Sequence, residues 1–443
     1  MMKKFAIGLV VAAVVTAVAG PLITGHMIEN EWHNFVERIN AETSNKVVLK
    51  SYEKSFLSAV AQLEVQLNTG VPEFDAKPIL FPIDISHGPI LFNTYSIGLA
   101  SITINVPADH LGLETFTKYD DFASYSARLS FLNTVQHNIR VLPVENNVGN
   151  HVSFSGLEAN FTSDMALKIF NGSVDVGRIA IQYTDSISGV MSKGSIEAST
   201  IQFDWREEFP RNGLMSGFSE WHMPAVSIKS GRVNVALQNM SVKATSDIKD
   251  ELISLEQSLS IQSIKGPMNI DNLRYDFTMT NIQLATYEAF VAMSNTMQNI
   301  PKGSDNIDDS AMKELIRPLF QSGIRNDQRL SLEVAGGKID AIFDAEYIGD
   351  HTVVDALFAQ EDEKVLSSFV ANLTASADAK AVMTTPLAFL LPGWSQQGFV
   401  QMKGDKLILE ASIKDAMFNL NGQSVPLALL LAPKDEGQVA PAQ

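Results

Sequence analysis

A histidine and a serine in two short motifs are the residues of this chain best suited to chemistry. The first motif, Ser55-Phe56-Leu57-Ser58, follows Tyr52, and the second is His87-Gly88-Pro89. A histidine can act as a general base for a serine hydroxyl, and Gly-Pro would hold it in a tight turn. A pair made of His87 and Ser58 would give a hydrolase.

A structural interpretation of the same residues is simpler, and we favour it. A histidine that hydrogen-bonds to backbone at the start of a strand explains His87. A strand with alternating exposed hydroxyls explains Ser55 and Ser58. We therefore expect no catalytic residue among the members of the two motifs.

Other arrangements that support catalysis or metal binding are missing from the sequence. The eight histidines show neither His-Glu-x-x-His nor His-x-x-His spacing, and cysteine is absent. No nucleophile elbow, phosphate loop or dinucleotide fingerprint occurs. Asp305, Asp308 and Asp309 lack the glycine and terminal glutamate of a calcium loop. The sequence predicts no metal site and no cofactor.

Composition describes a folded, acidic protein. Hydrophobic residues make up 45% of the 443 residues and charged residues 19%, which is unlike a disordered chain. The formal net charge is −17, and an acidic surface repels the phosphates of nucleic acids. We expect no nucleic-acid partner.

The N-terminus predicts a membrane anchor. Lys3 and Lys4 precede an apolar run over residues 5–23, which as a helix reaches roughly 30 Å at ~1.5 Å per residue. The lysines should stay in the cytoplasm, which places the body outside it. Cleavage after Ala19 is the alternative, but the apolar run continues beyond that site and exceeds a usual signal peptide. We favour an uncleaved anchor over residues 1–25.

A stalk helix is predicted over residues 26–45. Its apolar residues form one stripe with helical spacing: Ile28, Trp32, Phe35, Val36 and Ile39. The stripe suits core packing, contact with the membrane surface or pairing with a second copy.

Alternation with period two predicts β-rich regions over residues 46–286 and 326–433. Asn171-Gly172, Gly336-Gly337 and Asn421-Gly422 are typical of hairpin turns. A single helical insertion is predicted over residues 287–325, capped by Asp308-Asp309-Ser310 and limited by Pro318. Residues 434–443 form a predicted disordered tail. The fold class is therefore α+β and strand-dominated, with extended antiparallel sheet.

The order of these features resembles the YdgA/YihF-like family of bacterial envelope proteins, a domain of unknown function. The anchor and stalk come first, then Tyr52-x-x-Ser55-Phe56-Leu57-Ser58, then His87-Gly88-Pro89, and finally the stretch ending Asn421-Gly422. Ser55 stands where the family commonly has glycine. The resemblance implies an inner-membrane anchor through residues 5–23, a periplasmic body and no assigned catalytic residue.

Two functional hypotheses follow. A long sheet with one apolar face must cover that face with helices, a second sheet, a partner or lipid. The first hypothesis is a non-enzymatic envelope factor that binds a protein partner, itself or lipid, with self-association slightly favoured. The second is a hydrolase acting on an envelope substrate through His87 and Ser58.

Overall fold

Antiparallel strands make up most of the described chain, as the period-two alternation predicts. The computed structural model describes residues 37, 40, 46–66, 78–109, 117–146, 151–187, 190–208, 215–230, 233–288, 309–317, 320 and 323–431. Contacts divide the chain into two units, Met1–Glu208 and Phe209–Gln443, called unit 1 and unit 2.

Unit 1 contains fifteen described strands. They are β1 Lys46–Lys54, β2 Ser58–Gln66, β3 Ile79–His87, β4 Ile90–Leu91, β5 Ser96–Ile97, β6 Ala100–Pro107, β7 Asp121–Leu129, β8 Thr134–Val141, β9 Val144–Asn146, β10 His151–Phe154, β11 Leu157–Asp164, β12 Ile169–Val176, β13 Ile179–Ile187, β14 Val190–Ala198 and β15 Ile201–Glu208.

The main sheet of unit 1 is a meander in which strands pair in the order β1-β2-β3-β6-β7-β8-β11-β12-β15. Four further strands, β9, β10, β13 and β14, are separated from β8, β11, β12 and β15 by two-residue breaks and pair with one another in the order β9-β10-β13-β14. The small β4–β5 hairpin is inserted between β3 and β6.

Unit 2 contains eleven described strands. They are β16 Ser216–Ser230, β17 Val233–Lys249, β18 Leu252–Lys265, β19 Ile270–Gln283, β20 Arg325–Val334, β21 Gly337–Tyr347, β22 Phe369–Asp378, β23 Gln401–Lys403, β24 Lys406–Lys414, β25 Met417–Leu420 and β26 Gln423–Pro426. They form a second antiparallel meander, β16 to β22 in sequence order, then β24-β25-β26, with β23 paired to β24.

Short helices accompany the second sheet. They are α1 Asp309–Ile316, α2 Val353–Phe358, α3 Asp362–Ser367, α4 Ala379–Met383, α5 Leu391–Gln396 and α6 Leu427–Leu431, with a 3₁₀ turn at Pro386–Phe389. The prediction of a single helical insertion is therefore wrong, because α2 to α6 lie in the predicted C-terminal β-rich region. Helices of five or six residues complete fewer than two turns, so they leave no 3.6-residue periodicity in the sequence.

The densest core of unit 1 lies on its first three strands. Ala59, Ala61, Ile83 and Ile85 are almost wholly buried, and Val47 and Leu63 join them. The strand β1 is also tied to the helical residue Asn40, whose side chain exchanges two hydrogen bonds of 2.8 and 2.7 Å with the backbone of Val47.

The turn predictions have two outcomes. Asn421-Gly422 and Gly336-Gly337 lie at the hairpin ends that the sequence predicts. Asn171-Gly172 does not form a turn, because it lies inside β12. A Cβ on Gly172 would be 2.2 Å from Cβ of Phe161 on the neighbouring strand, so the glycine makes room for an aromatic side chain.

Among the residues that the structure describes, no helix is both long and apolar enough to cross a bilayer. The predicted anchor, residues 5–23, and the apolar stripe of the stalk lie outside the described residues.

Candidate functional site

The sheet of unit 1 has one apolar and one polar face. Directly opposite residues of antiparallel strands share a face, so rows of side chains can be followed across the sheet. One row on the first face is apolar throughout: Tyr52, Ala61, Ile83, Ile104, Tyr125, Ile139, Ala159, Val174 and Phe203. A row on the second face is polar throughout: Asp84, Thr103, Ser126, Asn138, Asn160, Ser173 and Asp204.

The sheet of unit 2 shows the same separation. Its apolar face carries the row Trp221, Val242, Leu259, Tyr275, Leu330, Ala341, Ala375 and Leu409. The other face carries Thr245, Glu256, Thr278, Asp327, Asp344, Asn372 and Ser412. The strands are therefore amphipathic, and their apolar side must be covered or filled.

Helices cover the two ends of this apolar face and leave its middle half-buried. At one end, Ala381 of α4 packs against Gly337. A Cβ built on Gly337 would lie only 2.9 Å from Cβ of Ala381. At the other end, Val353 and Val354 of α2 pack on Tyr347, together with side chains from α1, α3 and β22. Gly337 and Tyr347 are separated by ten positions of β21, so they share a face.

Two adjacent rows between these helices form what we call the central strip. Its ten half-buried residues are Tyr275, Leu330, Ala341, Ala375 and Leu409 in one row and Phe277, Gln328, Phe343, Leu373 and Ala411 in the other. The hydroxyl of Tyr275 donates to Oε1 of Gln328 at 3.0 Å. Nε2 of Gln328 donates to Oδ1 of Asn326 at 2.8 Å. The polar side chains of the strip are thus hydrogen-bonded, and the other eight side chains form an apolar floor.

The structure does not bring His87 and Ser58 together. His87 is the last residue of β3, not the start of a strand, and its side chain is wholly buried on the apolar face. Ser58 is paired with Ser86, so its exposed side chain lies on the polar face. The serine motif is a turn between β1 and β2 and not a continuous strand.

The environment of His87 is apolar. Neither ring nitrogen has a partner at full hydrogen-bond geometry within the described residues. The backbone of Ser58 and Phe56 nevertheless interacts with the ring and favours its protonated form, in the direction that the predicted bond to backbone requires. Burial lowers the pKa of His87, and nearby backbone groups of Ser58 and Phe56 oppose that shift only in part. His87 is therefore held neutral in the core, where it cannot reach a substrate.

Gly88 and Pro89 begin a flap that folds over the polar face of unit 1. The flap covers residues 88–99 and contains β4 and β5. Within the flap, the side chain of Leu91 is wholly buried, and Nδ2 of Asn93 donates to the carbonyl oxygen of Asp84 at 3.2 Å. Ser101 of β6 also hydrogen-bonds to the Asn93 side chain. The motif therefore fixes the flap to the sheet.

An open polar cleft lies beside this flap. Hydroxyl and amide side chains line it, together with one cation: Thr94, Ser96, Arg128, Asn138, Asn160 and Asn171. Asn138 donates to Asn160 at 2.7 Å, and Arg128 donates to Gln136. These groups are largely satisfied by one another, as on a solvated sheet surface.

A second histidine, which no sequence motif marks, does have a serine partner. On the apolar face of unit 1, Nε2 of His137 lies 2.9 Å from Oγ of the buried Ser163, and Nδ1 lies 2.8 Å from the hydroxyl of Tyr125. The imidazole stacks on Phe161 with ring centroids 4.4 Å apart. The three polar residues come from β7, β8 and β11, and only strand register could have revealed their contact.

Burial governs the ionisation of this trio. It lowers the pKa of His137 and raises the pKa of Tyr125 to about 12, so both side chains are neutral near pH 7. A neutral imidazole can accept the serine proton, as in a nucleophilic site. Among the described residues, no group of acidic and histidine side chains is arranged to hold a metal ion.

Comparison with known proteins gives a family without an assigned activity. The family described as a bacterial protein of unknown function, DUF945, matches residues 2–428. The uncharacterised protein YihF of Escherichia coli (strain K12) is 24% identical over 219 residues, which cover 46% of this chain and 41% of that protein. No solved structure matches. The resemblance to YihF-like proteins is confirmed, and the chain belongs to the DUF945 family.

Proposed function

We propose that the protein is a non-enzymatic, membrane-tethered factor of the bacterial envelope that binds lipid acyl chains on its apolar sheet faces. The central strip of unit 2 carries this proposal. Tethering through residues 5–23 and a periplasmic body follow from the two lysines and the apolar run at the N-terminus.

The dimensions of the central strip favour an acyl chain. Five strands at ~4.8 Å spacing give a length of roughly 20 Å, close to that of an extended fatty-acyl chain. Helices contact both ends of β21, and the strip between them runs across the strands. A large protein interface usually supplies aromatic and arginine anchors to a broader, flatter patch. The strip is two rows wide and contains no arginine; its side chains are three leucines, three alanines, two phenylalanines, Tyr275 and Gln328.

Native mass spectrometry of the full-length protein, extracted in mild detergent, tests this function. We expect a monomer that retains one or more phospholipids. Ala375→Trp should abolish lipid retention because the indole fills the floor of the strip, whereas Thr374→Trp, its neighbour on the polar face, should retain it. Circular dichroism checks that both variants are folded. A lipid-free dimer, or equal retention by the two variants, would contradict acyl-chain binding and favour self-association.

A hydrolase is the second candidate, and it now rests on Ser163, His137 and Tyr125. The hydrogen-bonded order serine, histidine, tyrosine matches the nucleophile, base and orienting group of a covalent catalyst. Against it, Ser163 is buried, so its hydroxyl is not open to a substrate carbonyl.

A fluorophosphonate probe separates the two functions, because it labels activated serines covalently. We expect no labelling of the wild-type protein, since neutral His137 serves only to satisfy Ser163 and Tyr125 in the core. Labelling that Ser163→Ala abolishes and Ser153→Ala leaves intact would establish the hydrolase instead. Unlabelled protein that loses stability on Ser163→Ala would support the structural role.

A further inference from the structure

One end of the unit 1 sheet presents exposed apolar side chains from four successive loops. These loops, residues 55–57, 88–99, 130–133 and 165–168, connect β1 to β2, β3 to β6, β7 to β8 and β11 to β12, and we call them the apolar tip. The meander brings the first and last residues of each loop to the same end of the sheet, since each loop joins strands paired at that end, and the flap extends from there over the polar face.

The side chains of the apolar tip are exposed far beyond what is usual for their type. Tyr95 is 95% exposed, Leu132 is 88% exposed and Ile97 is 70% exposed. Ile90, Phe92 and Phe131 are each more than half exposed. Several strongly exposed apolar side chains in neighbouring loops indicate an interaction surface.

Charge distinguishes the tip from the rest of the molecule. Lys168 is the only charged residue in the four loops, although the chain has 50 acidic and 33 basic residues. The remaining polar residues are mainly serine, threonine and asparagine. An acidic protein is repelled by anionic headgroups, but its neutral tip can approach them closely.

We propose that the apolar tip docks unit 1 onto a lipid bilayer by inserting its loops into the headgroup region. The tip spans eight strands, roughly 34 Å at ~4.8 Å per strand, so neighbouring loops stand ~10 Å apart. Separate loops with one to four apolar side chains each suit a fluid surface that closes around them. Tyrosine is favoured at the membrane–water boundary, and phenylalanine and leucine are favoured just below it.

The geometry places this contact away from the N-terminal end of the sheet. β1 begins at Lys46, opposite Gln66, and reaches the tip only after nine residues, roughly 30 Å of strand. The docking surface therefore lies at the end of the unit 1 sheet opposite Lys46, and it consists of residues other than those of the predicted anchor and the central strip. It adds a peripheral membrane contact to the proposed function without depending on it.

Single-cysteine labelling tests the proposal directly, because the chain has no cysteine of its own. Full-length Leu132→Cys and Tyr95→Cys proteins carry an environment-sensitive fluorophore and are reconstituted in nanodiscs. Vesicles of phosphatidylethanolamine and phosphatidylglycerol containing a nitroxide-labelled lipid are then added. The control is Lys118→Cys, which is exposed just before β7 at the opposite end of the sheet.

We expect a blue shift and nitroxide quenching at both tip positions and no change at position 118. Adding Phe131→Ser and Ile97→Ser to each labelled protein should weaken vesicle binding by about tenfold or more, because two large apolar side chains no longer insert. Absence of quenching at both tip positions would overturn the proposal. A blue shift that needs no vesicles and grows with protein concentration would overturn it in favour of contact between two copies.

Discussion

Gly88→Ala is expected to lower the free energy of unfolding by at least about 3 kcal/mol, because an added methyl group would overlap backbone. A Cβ at position 88 would lie 1.8 Å from the carbonyl oxygen of Gly98 and 2.9 Å from the carbonyl carbon of the same residue. Both are backbone atoms at the far end of the flap, and Gly88 N also donates to the carbonyl oxygen of Leu99 at 2.7 Å. The flap cannot close around the larger side chain.

Urea denaturation followed by circular dichroism measures this loss. Gly393→Ala is the matched control, since a Cβ there meets no atom within 4 Å and Gly393 lies in α5. The control should leave stability unchanged or raise it slightly, because alanine favours helix over glycine. Equal stability of Gly88→Ala and wild type would mean that the flap is not packed as described.

His87→Leu is expected to raise the free energy of unfolding by about 1–3 kcal/mol, since it removes a buried polar group whose ring nitrogens have no partner at full hydrogen-bond geometry among the described residues. The gain should grow as the pH falls. Burial lowers the pKa of folded His87, and the charge of Lys54 adds to that effect. Below about pH 6.5, the unfolded chain therefore binds more protons than the folded chain.

Denaturation between pH 7.5 and pH 5 measures this dependence. Wild-type stability should decrease across that range, and the decrease should be smaller for His87→Leu. The pKa of His137 is also lowered by burial, so His137 accounts for part of the decrease in stability that His87→Leu still shows. His222→Leu, on β16 of unit 2, controls for the loss of a histidine. A pH profile of His87→Leu parallel to that of the wild type would show that His87 is not held neutral.

The alternation of apolar and polar residues predicted much of the fold, because this pattern can be recognised within each amphipathic strand by itself. Ile201, Phe203 and Trp205 lie on one face of β15, and Leu273, Tyr275 and Phe277 lie on one face of β19. Asn421-Gly422 predicted its hairpin because both residues tolerate the positive φ that the turn requires. These features depend on a few neighbouring residues.

The candidate sites could not be predicted in the same way, because they depend on register between strands. His137 and Ser163 are 26 positions apart, and they meet because His137 pairs with Phe161, two residues before Ser163. Asn171-Gly172 has the composition of a turn, yet the opposite Phe161 decides its conformation. The apolar tip likewise could not be predicted without the strand order, which places the start and end of four separate loops at one end of the unit 1 sheet.

The meander order of both sheets has a consequence for how the chain folds. Most strands pair with the strand that precedes or follows them in the chain, and residues 284–324 between β19 and β20 form the longest gap between paired strands. The pairs β8–β11, β10–β13, β12–β15 and β22–β24 skip the elements between them. Pairing between segments that are close in the sequence shortens the search for native contacts. As the chain emerges from its N-terminus, the sheet of unit 2 can therefore grow largely by adding strands at one edge. The sheet of unit 1 must grow along two sets of strands in turn, because β9, β10, β13 and β14 pair separately from β8, β11, β12 and β15.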